Sequence, residues 1–257
     1  MKKLLMGTNL KMYKTPSQTE SYLDALQTLT KDLRSDVTLF VIPSYPSLER
    51  AVNTVKEKAV LLGAQNMHPE EEGQFTGEVS PLMLKELGLD IVEIGHSERR
   101  HVFGETDAEE NKKVLSALAH GFTALLCVGE TAEQKENGIA DEVLSIQLKV
   151  GLHGVEKERI SRLWVAYEPV WAIGVNGTPA SPEYACDRHL HIKSVLEGLF
   201  PENEIPVLYG GSVNPQNAEA LIVQPGIDGL FTGRAAWEAE NFNRLIRQVL
   251  PLYQRRA

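Results

Sequence analysis

Short apolar runs alternate with amphipathic stretches along the whole chain. Residues 4–10, 37–42, 59–64, 90–94, 123–128, 163–167, 206–209 and 227–231 each read as a short buried strand. The stretches between them carry helical periodicity and helix-start signals. Thr15-Pro16 places a cap directly before a proline, and Leu23, Leu26, Leu29 and Leu33 then give one apolar face. Ser80-Pro81 opens a short helix ending near Gly88, Ser181-Pro182 opens another, and residues 46–56 read as helical. Thr106-Asp107-Ala108-Glu109 is a capping box for a helix that stops at Gly121. Thr131 starts a helical region predicted to run on toward Val150, Asn214-Pro215 caps a short helix, and a C-terminal amphipathic helix carries Leu245 and Val249.

Eight strands, each followed by a helix and without a long linker, predict an α/β fold: a (β/α)8 barrel forming a single domain over residues 1–257. The main competitor is a doubly wound sheet. It would ordinarily carry a G-x-G-x-x-G turn after an early strand, and the chain has none. The barrel makes a demand of its own, since chemistry should then lie just after the strands, at the C-terminal mouth.

Composition narrows the function. The chain is 42% hydrophobic, and its 26 Lys and Arg against 35 Asp and Glu leave a net charge of −9, with no basic cluster to grip nucleic acid. A small anionic substrate held by local positive charge and backbone N–H groups fits this balance. Two cysteines, Cys127 and Cys186, are an improbable staple for 257 residues, and a cytoplasmic setting is expected. Residues 4–6 are too short for a signal segment, and no apolar run approaches a membrane span.

The strand ends carry candidate chemistry. The sixth delivers Glu168, and Pro169 steers that residue away from helical backbone and stops the strand. Bulky Val170 and Trp171 follow, then a run of mostly small residues to Ala180, the pattern of a base joined to a hinged lid. After the first strand, Asn9 and Lys11 are expected on one side by strand alternation, with the lysine able to anchor an anion or polarise a carbonyl. After the fourth, His96 directly precedes Ser97-Glu98, where a helix N-terminus would favour neutral imidazole. Glycines and N–H donors at Gly210-Gly211-Ser212 and Gly233-Arg234 follow strands seven and eight, where barrels commonly bind phosphate.

In this order the strand-end segments resemble the triosephosphate isomerase family over the whole chain. The matching pieces are Asn9-x-Lys11, Ala64-Gln65-Asn66, Phe75-Thr76-Gly77-Glu78, the run from Ile94 through His96 to Arg100, Cys127-Val128-Gly129-Glu130, the run from Tyr167 to Gly174, and Tyr209-Gly210-Gly211-Ser212-Val213. The resemblance implies a TIM barrel that moves a carbonyl by one carbon through an enediolate. Glu168 would remove the proton, and His96 would donate a hydrogen bond to the developing oxyanion. Lys11 would stabilise charge, Asn9 would orient the oxygen side, and Glu98 would pair with Lys11. Backbone N–H groups of Gly174, Ser212, Gly233 and Arg234 would hold the phosphate. The resemblance implies no metal and no organic cofactor, and a homodimer in which the loop of Phe75, Thr76 and Glu78 reaches the partner's site.

The chain also departs from the family pattern. Leu10 stands where tryptophan is usual, and Gln74 stands where alanine is usual. The lid tip, residues 175–180, is one residue longer, and Gly233-Arg234-Ala235-Ala236 replaces Gly-Gly-Ala-Ser. Changes at the lid tip and eighth loop resemble the branch of the family assigned to erythritol catabolism. That branch interconverts L-erythrulose 1-phosphate and D-erythrulose 4-phosphate. The expected substrate is therefore the four-carbon ketose phosphate; the alternative is the triose phosphate pair of glycolysis and gluconeogenesis. A catalytically dead barrel kept as a scaffold would be expected to lose at least one of Asn9, Lys11, His96 and Glu168. A Schiff-base aldolase would need a lysine on a central strand, and none is there.

Overall fold

The computed structural model describes residues 2–174 and 177–256. Eight parallel strands, β1 (Leu4–Asn9), β2 (Val37–Ile42), β3 (Leu61–Ala64), β4 (Ile91–Ile94), β5 (Thr123–Val128), β6 (Leu163–Tyr167), β7 (Val207–Tyr209) and β8 (Gly229–Thr232), follow one another around a closed barrel. Closure comes from β8 pairing with β1, with Leu5 opposite Gly229 and Thr8 opposite Thr232. The predicted (β/α)8 architecture is the one observed.

Strand alternation divides the apolar residues into two cores. Leu5, Phe40, Ile91, Leu125, Ala166 and Leu208 belong to a cluster inside the barrel, where the Phe40 ring packs 5.6 Å from Trp164 and 5.5 Å from Phe231. Their neighbours Leu4, Met6, Val92, Leu126, Val165 and Val207 point outward into a larger cluster against the helices. The barrel interior is therefore packed with side chains.

The helices are α1 (Pro16–Leu29), α2 (Leu48–Thr54), α3 (Pro81–Glu86), α4 (Ser97–His101), α5 (Asp107–Ala119), α6 (Ala132–Glu136), α7 (Ala140–Gly151), α8 (Pro182–Leu199), α9 (Ala218–Ile222) and α10 (Ala239–Arg256). Thr15 and Thr106 form reciprocal capping boxes with Gln18 and Glu109, as the sequence pattern requires. Four expectations need correcting. The helix read from Thr131 toward Val150 is two helices, because Gly138 turns left-handed at φ 71° between α6 and α7. Residues 45–47 form a 3-10 turn before α2, so the helix starts later than Pro46. Asn214 caps a turn by accepting from the backbone of Gln216 and Asn217, and α9 begins only at Ala218. The first strand ends at Asn9, so alternation does not carry through to Lys11.

Candidate active site

The barrel mouth holds a cavity of about 360 Å³. Asn9, Lys11, His96 and Glu168 line it together with Gly174, Ser212, Gly233 and Arg234. The strand ends thus bring eight of the expected site residues into one space. Glu98 stands beside them, half-exposed, with Oε1 accepting from Lys11 Nζ at 2.7 Å. Phe75, Thr76 and Glu78 lie elsewhere, exposed on a loop where Phe75 stacks on His68 with 3.9 Å between ring centroids. Val175 and Asn176, at the tip of the expected lid, lie outside the described residues.

Glu168 arrives on the sheet's own hydrogen bonds: its N–H donates to Val128 O at 2.7 Å, and Gly210 N donates to Tyr167 O at 2.8 Å. Its neighbours must be bare. A Cβ on Gly129 would sit 1.9 Å from Glu168 O, and one on Gly210 would sit 2.9 Å from Glu168 Cγ. The carboxyl is 2% exposed, with Oε2 accepting from Ser97 N at 3.1 Å and Oε1 lying 3.7 Å from His96 Nε2.

His96 is the N-cap of α4, and its Nδ1 accepts the Glu98 backbone N–H at 3.1 Å. A ring nitrogen that accepts an N–H carries no proton of its own, so Nε2 carries it and presents a donor toward Glu168 and the cavity. Burial works to raise the Glu98 carboxyl, but the hydrogen bond from Lys11 and the neighbouring charges hold it below the usual carboxylate range.

Lys11 reaches the cavity by a route other than strand alternation. Its backbone is left-handed, φ 50°, and is clamped at both ends. Lys11 N donates to Asn9 Oδ1 at 2.6 Å, and Gln65 Nε2 donates to Lys11 O at 2.9 Å and to Asn9 Oδ1 at 3.1 Å. Asn9 is held in turn by Trp237, whose indole donates to Asn9 O at 3.0 Å and whose ring lines the cavity against Tyr13.

Close to the residues that follow Glu168, Glu130 is a fully buried acceptor. It receives the Tyr167 hydroxyl at 3.0 Å, the Trp171 indole at 2.8 Å and the Tyr184 hydroxyl at 2.9 Å. Lys135 covers the Trp171 ring, 3.4 Å from its centroid. Residues 170–172 form a 3-10 turn fixed to the barrel by these bonds.

Sequence reading gave no role to three contributors: Gln65, which stood only as part of a matching segment, Trp237 and Glu93. Glu93 is the clearest omission, an acid at an inward-facing position of a strand taken as uniformly apolar. Its place three residues before His96 was the available signal.

Chemically, the arrangement offers a carboxylate and an imidazole N–H facing one space, a cation beside them, and a glycine-rich rim of backbone donors. That set can move a proton between adjacent carbons of an anionic carbonyl compound. Residues 4–249 match the family model described as triosephosphate isomerase. The chain is 46% identical over 245 residues to the L-erythrulose-1-phosphate isomerase of Rhizobium etli, covering 95% of this chain and 91% of that protein. It is 45% identical over 247 residues to the protein of that name from Rhizobium meliloti, covering 96% of each. Against the one from Mesorhizobium japonicum it is 45% identical over 238 residues, covering 92% of this chain and 93% of that protein. With its closed barrel and this set of strand-end residues, the chain belongs to the triosephosphate isomerase family.

Proposed function

We propose that the protein is a sugar-phosphate isomerase acting on a four-carbon ketose phosphate, interconverting L-erythrulose 1-phosphate and D-erythrulose 4-phosphate. The observation that carries the reading is the single cavity in which Glu168 and His96 lie 3.7 Å apart beside Lys11. Glu168 takes the proton from the carbon next to the ketone, His96 Nε2–H bonds the oxygen that gains charge, and Lys11 stabilises that charge. Backbone N–H groups of Gly174, Ser212, Gly233 and Arg234 hold the phosphate at the other end. To reach substrate, the Glu168 carboxylate leaves the Ser97 N–H it now accepts. Both protons travel through side chains, so the reaction needs no cofactor.

The four-carbon substrate differs from dihydroxyacetone phosphate by one hydroxymethyl group, away from the phosphate. The names of the relatives and the altered eighth loop, where Arg234 lines the cavity, support that choice. The whole-chain match to the family model favours a second reading, the triose phosphate interconversion itself.

Comparing kcat/KM for L-erythrulose 1-phosphate and dihydroxyacetone phosphate on one preparation separates them. The tetrulose should win by roughly 10- to 200-fold, the discrimination one small group commonly supplies. A preference for the triose overturns the first reading. His96→Gln and Glu168→Asp should each lower kcat by about 10²–10⁴-fold with little change in melting temperature; turnover near the parent's would overturn the assigned roles.

The same reading includes a cytoplasmic homodimer. Met12, Tyr13, Phe75, Val102 and Phe103 are all exposed large apolar side chains on the loops that follow β1, β3 and β4, a surface suited to a second copy. Both cysteines are free thiols, as a reducing compartment allows.

A further inference from the structure

Glu93 sits beneath the cavity, on the inner face of β4. It is fully buried and does not line the pocket. Oε2 accepts Asn9 Nδ2 at 2.7 Å, and Oε1 lies 3.9 Å from Cys127 Sγ. One oxygen each from Glu93 and Glu168 and a His96 ring nitrogen all lie within 4.8 Å of one another. The barrel's inner cluster, on the same face of the sheet, is apolar, and no salt bridge reaches Glu93 among the described residues. An apolar side chain of similar size would pack there at less cost, because a buried carboxyl gives up its hydration. Packing alone therefore gives no reason for an acid at this position.

The Asn9 amide supplies one. Asn9 Oδ1 accepts from Lys11 N and Gln65 Nε2, so its NH2 group must face the barrel floor. There, among the described residues, the acceptor it meets is Glu93. Without that acceptor, a buried NH2 would be unsatisfied, and rotating the amide would set its donors against the Lys11 N–H. The left-handed turn at Lys11 would then lose the bond that closes it.

We propose that Glu93 is a positioning residue: its buried carboxyl accepts the Asn9 amide and so locks the turn that carries Lys11 into the active site. Its surroundings favour the neutral acid over the carboxylate. Burial and the nearby negative charge of Glu168 push its carboxyl well up, against the smaller opposing effects of the Asn9 hydrogen bond and Lys11, with Glu98 adding to the rise. The carbonyl oxygen of a neutral carboxyl still accepts the Asn9 N–H, and the proton stays on the other oxygen. Glu168 thus meets no second negative charge on the floor of its own site.

The inference rests on the isomerase reading for its kinetic arm only. Glu93→Gln keeps the acceptor and the neutral charge; Glu93→Met keeps the volume and loses both oxygens, and Glu93→Leu replaces it should the Met variant fail to fold. Kinetically, the apolar variant should lose at least tenfold in kcat/KM with a melting temperature equal to or above the parent's. The Gln variant should stay within threefold, and its acid limb in a pH–rate profile should overlay the parent's. Independently of turnover, amide hydrogen exchange at Lys11, read by NMR on the full chain, should quicken at least tenfold in the apolar variant and not in Gln. An apolar variant with parental exchange at Lys11 overturns the proposal, and so does a Gln variant as impaired as the apolar one. If the parent turns over neither ketose phosphate, the functional reading fails while the exchange measurement still decides the role of Glu93.

Discussion

At the residue scale the site depends on close approach. Glu168 lies between backbone segments that leave no room for a side chain at Gly129 or Gly210. Gly210→Ala would press a methyl against Glu168 Cγ and displace the carboxyl by a fraction of an ångström. With Glu168 as the proposed base, where small misplacements are costly, kcat should fall by at least tenfold while the fold survives, which circular dichroism and steady-state kinetics would check. Gly198→Ala is the matched control: it sits in α8 with open space around it, and should leave kcat unchanged while adding about 0.5–1 kcal/mol of stability. The residues that line the cavity were legible in the sequence as candidates, because most lie close after a strand end and belong to a dense local pattern. The residues that hold them were not. Gln65 acts on Lys11 across the chain, Trp237 on Asn9 across almost its whole length, and Glu93 on Asn9 through the barrel floor. A spacing pattern records neighbours along the chain, and these contacts exist only once the barrel closes.

At the element scale, helix starts were read correctly at Thr15-Pro16, Thr106 and Ser181-Pro182, whereas at Pro46 and Asn214-Pro215 the marked residues open a short turn and the helix begins later. The Thr106 capping box was readable as such, whereas the break between α6 and α7 depends on a single left-handed glycine. One helix also carries a hidden acid sensitivity. His189 of α8 is fully buried, edge-on to Tyr167 at 5.6 Å between ring centroids and near Tyr209, with Nδ1 paired to Gly226 O at 3.1 Å. Burial pushes its imidazole down to about 4, with the Gly226 bond and Asp228 opposing only in part. The folded-state value is lowered, so between about pH 6.5 and pH 4 the unfolded chain binds a proton that the folded chain refuses. Stability from this group is therefore complete above pH 6.5 and falls as pH drops through that window, by up to roughly 3 kcal/mol. Melting curves of the parent and His189→Phe from pH 7 to pH 4 should converge or cross on acidification; parallel curves would exclude His189 as the source.

At the scale of the whole molecule, the barrel order was fully legible, since eight apolar strands alternating with helices leave few other closed arrangements. The exposed loops were the hardest part to interpret, because their apolar residues acquire a purpose only against another surface. Met12 is 94% exposed and Val102 is 72% exposed, values poorly suited to a monomer in water. Sedimentation equilibrium should give about 57 kDa, twice the chain mass of 28.5 kDa, and Phe75→Glu should shift the population toward the single chain. The three tryptophans are distributed unequally across this architecture. Trp164 is fixed in the barrel packing, Trp171 is tied to Glu130 just after β6, and Trp237 lines the cavity. The protein thus carries its own optical reporter of occupancy. A phosphorylated ketose entering the cavity should change the intrinsic fluorescence, and Trp237→Phe should remove the part of that signal that originates beside Asn9.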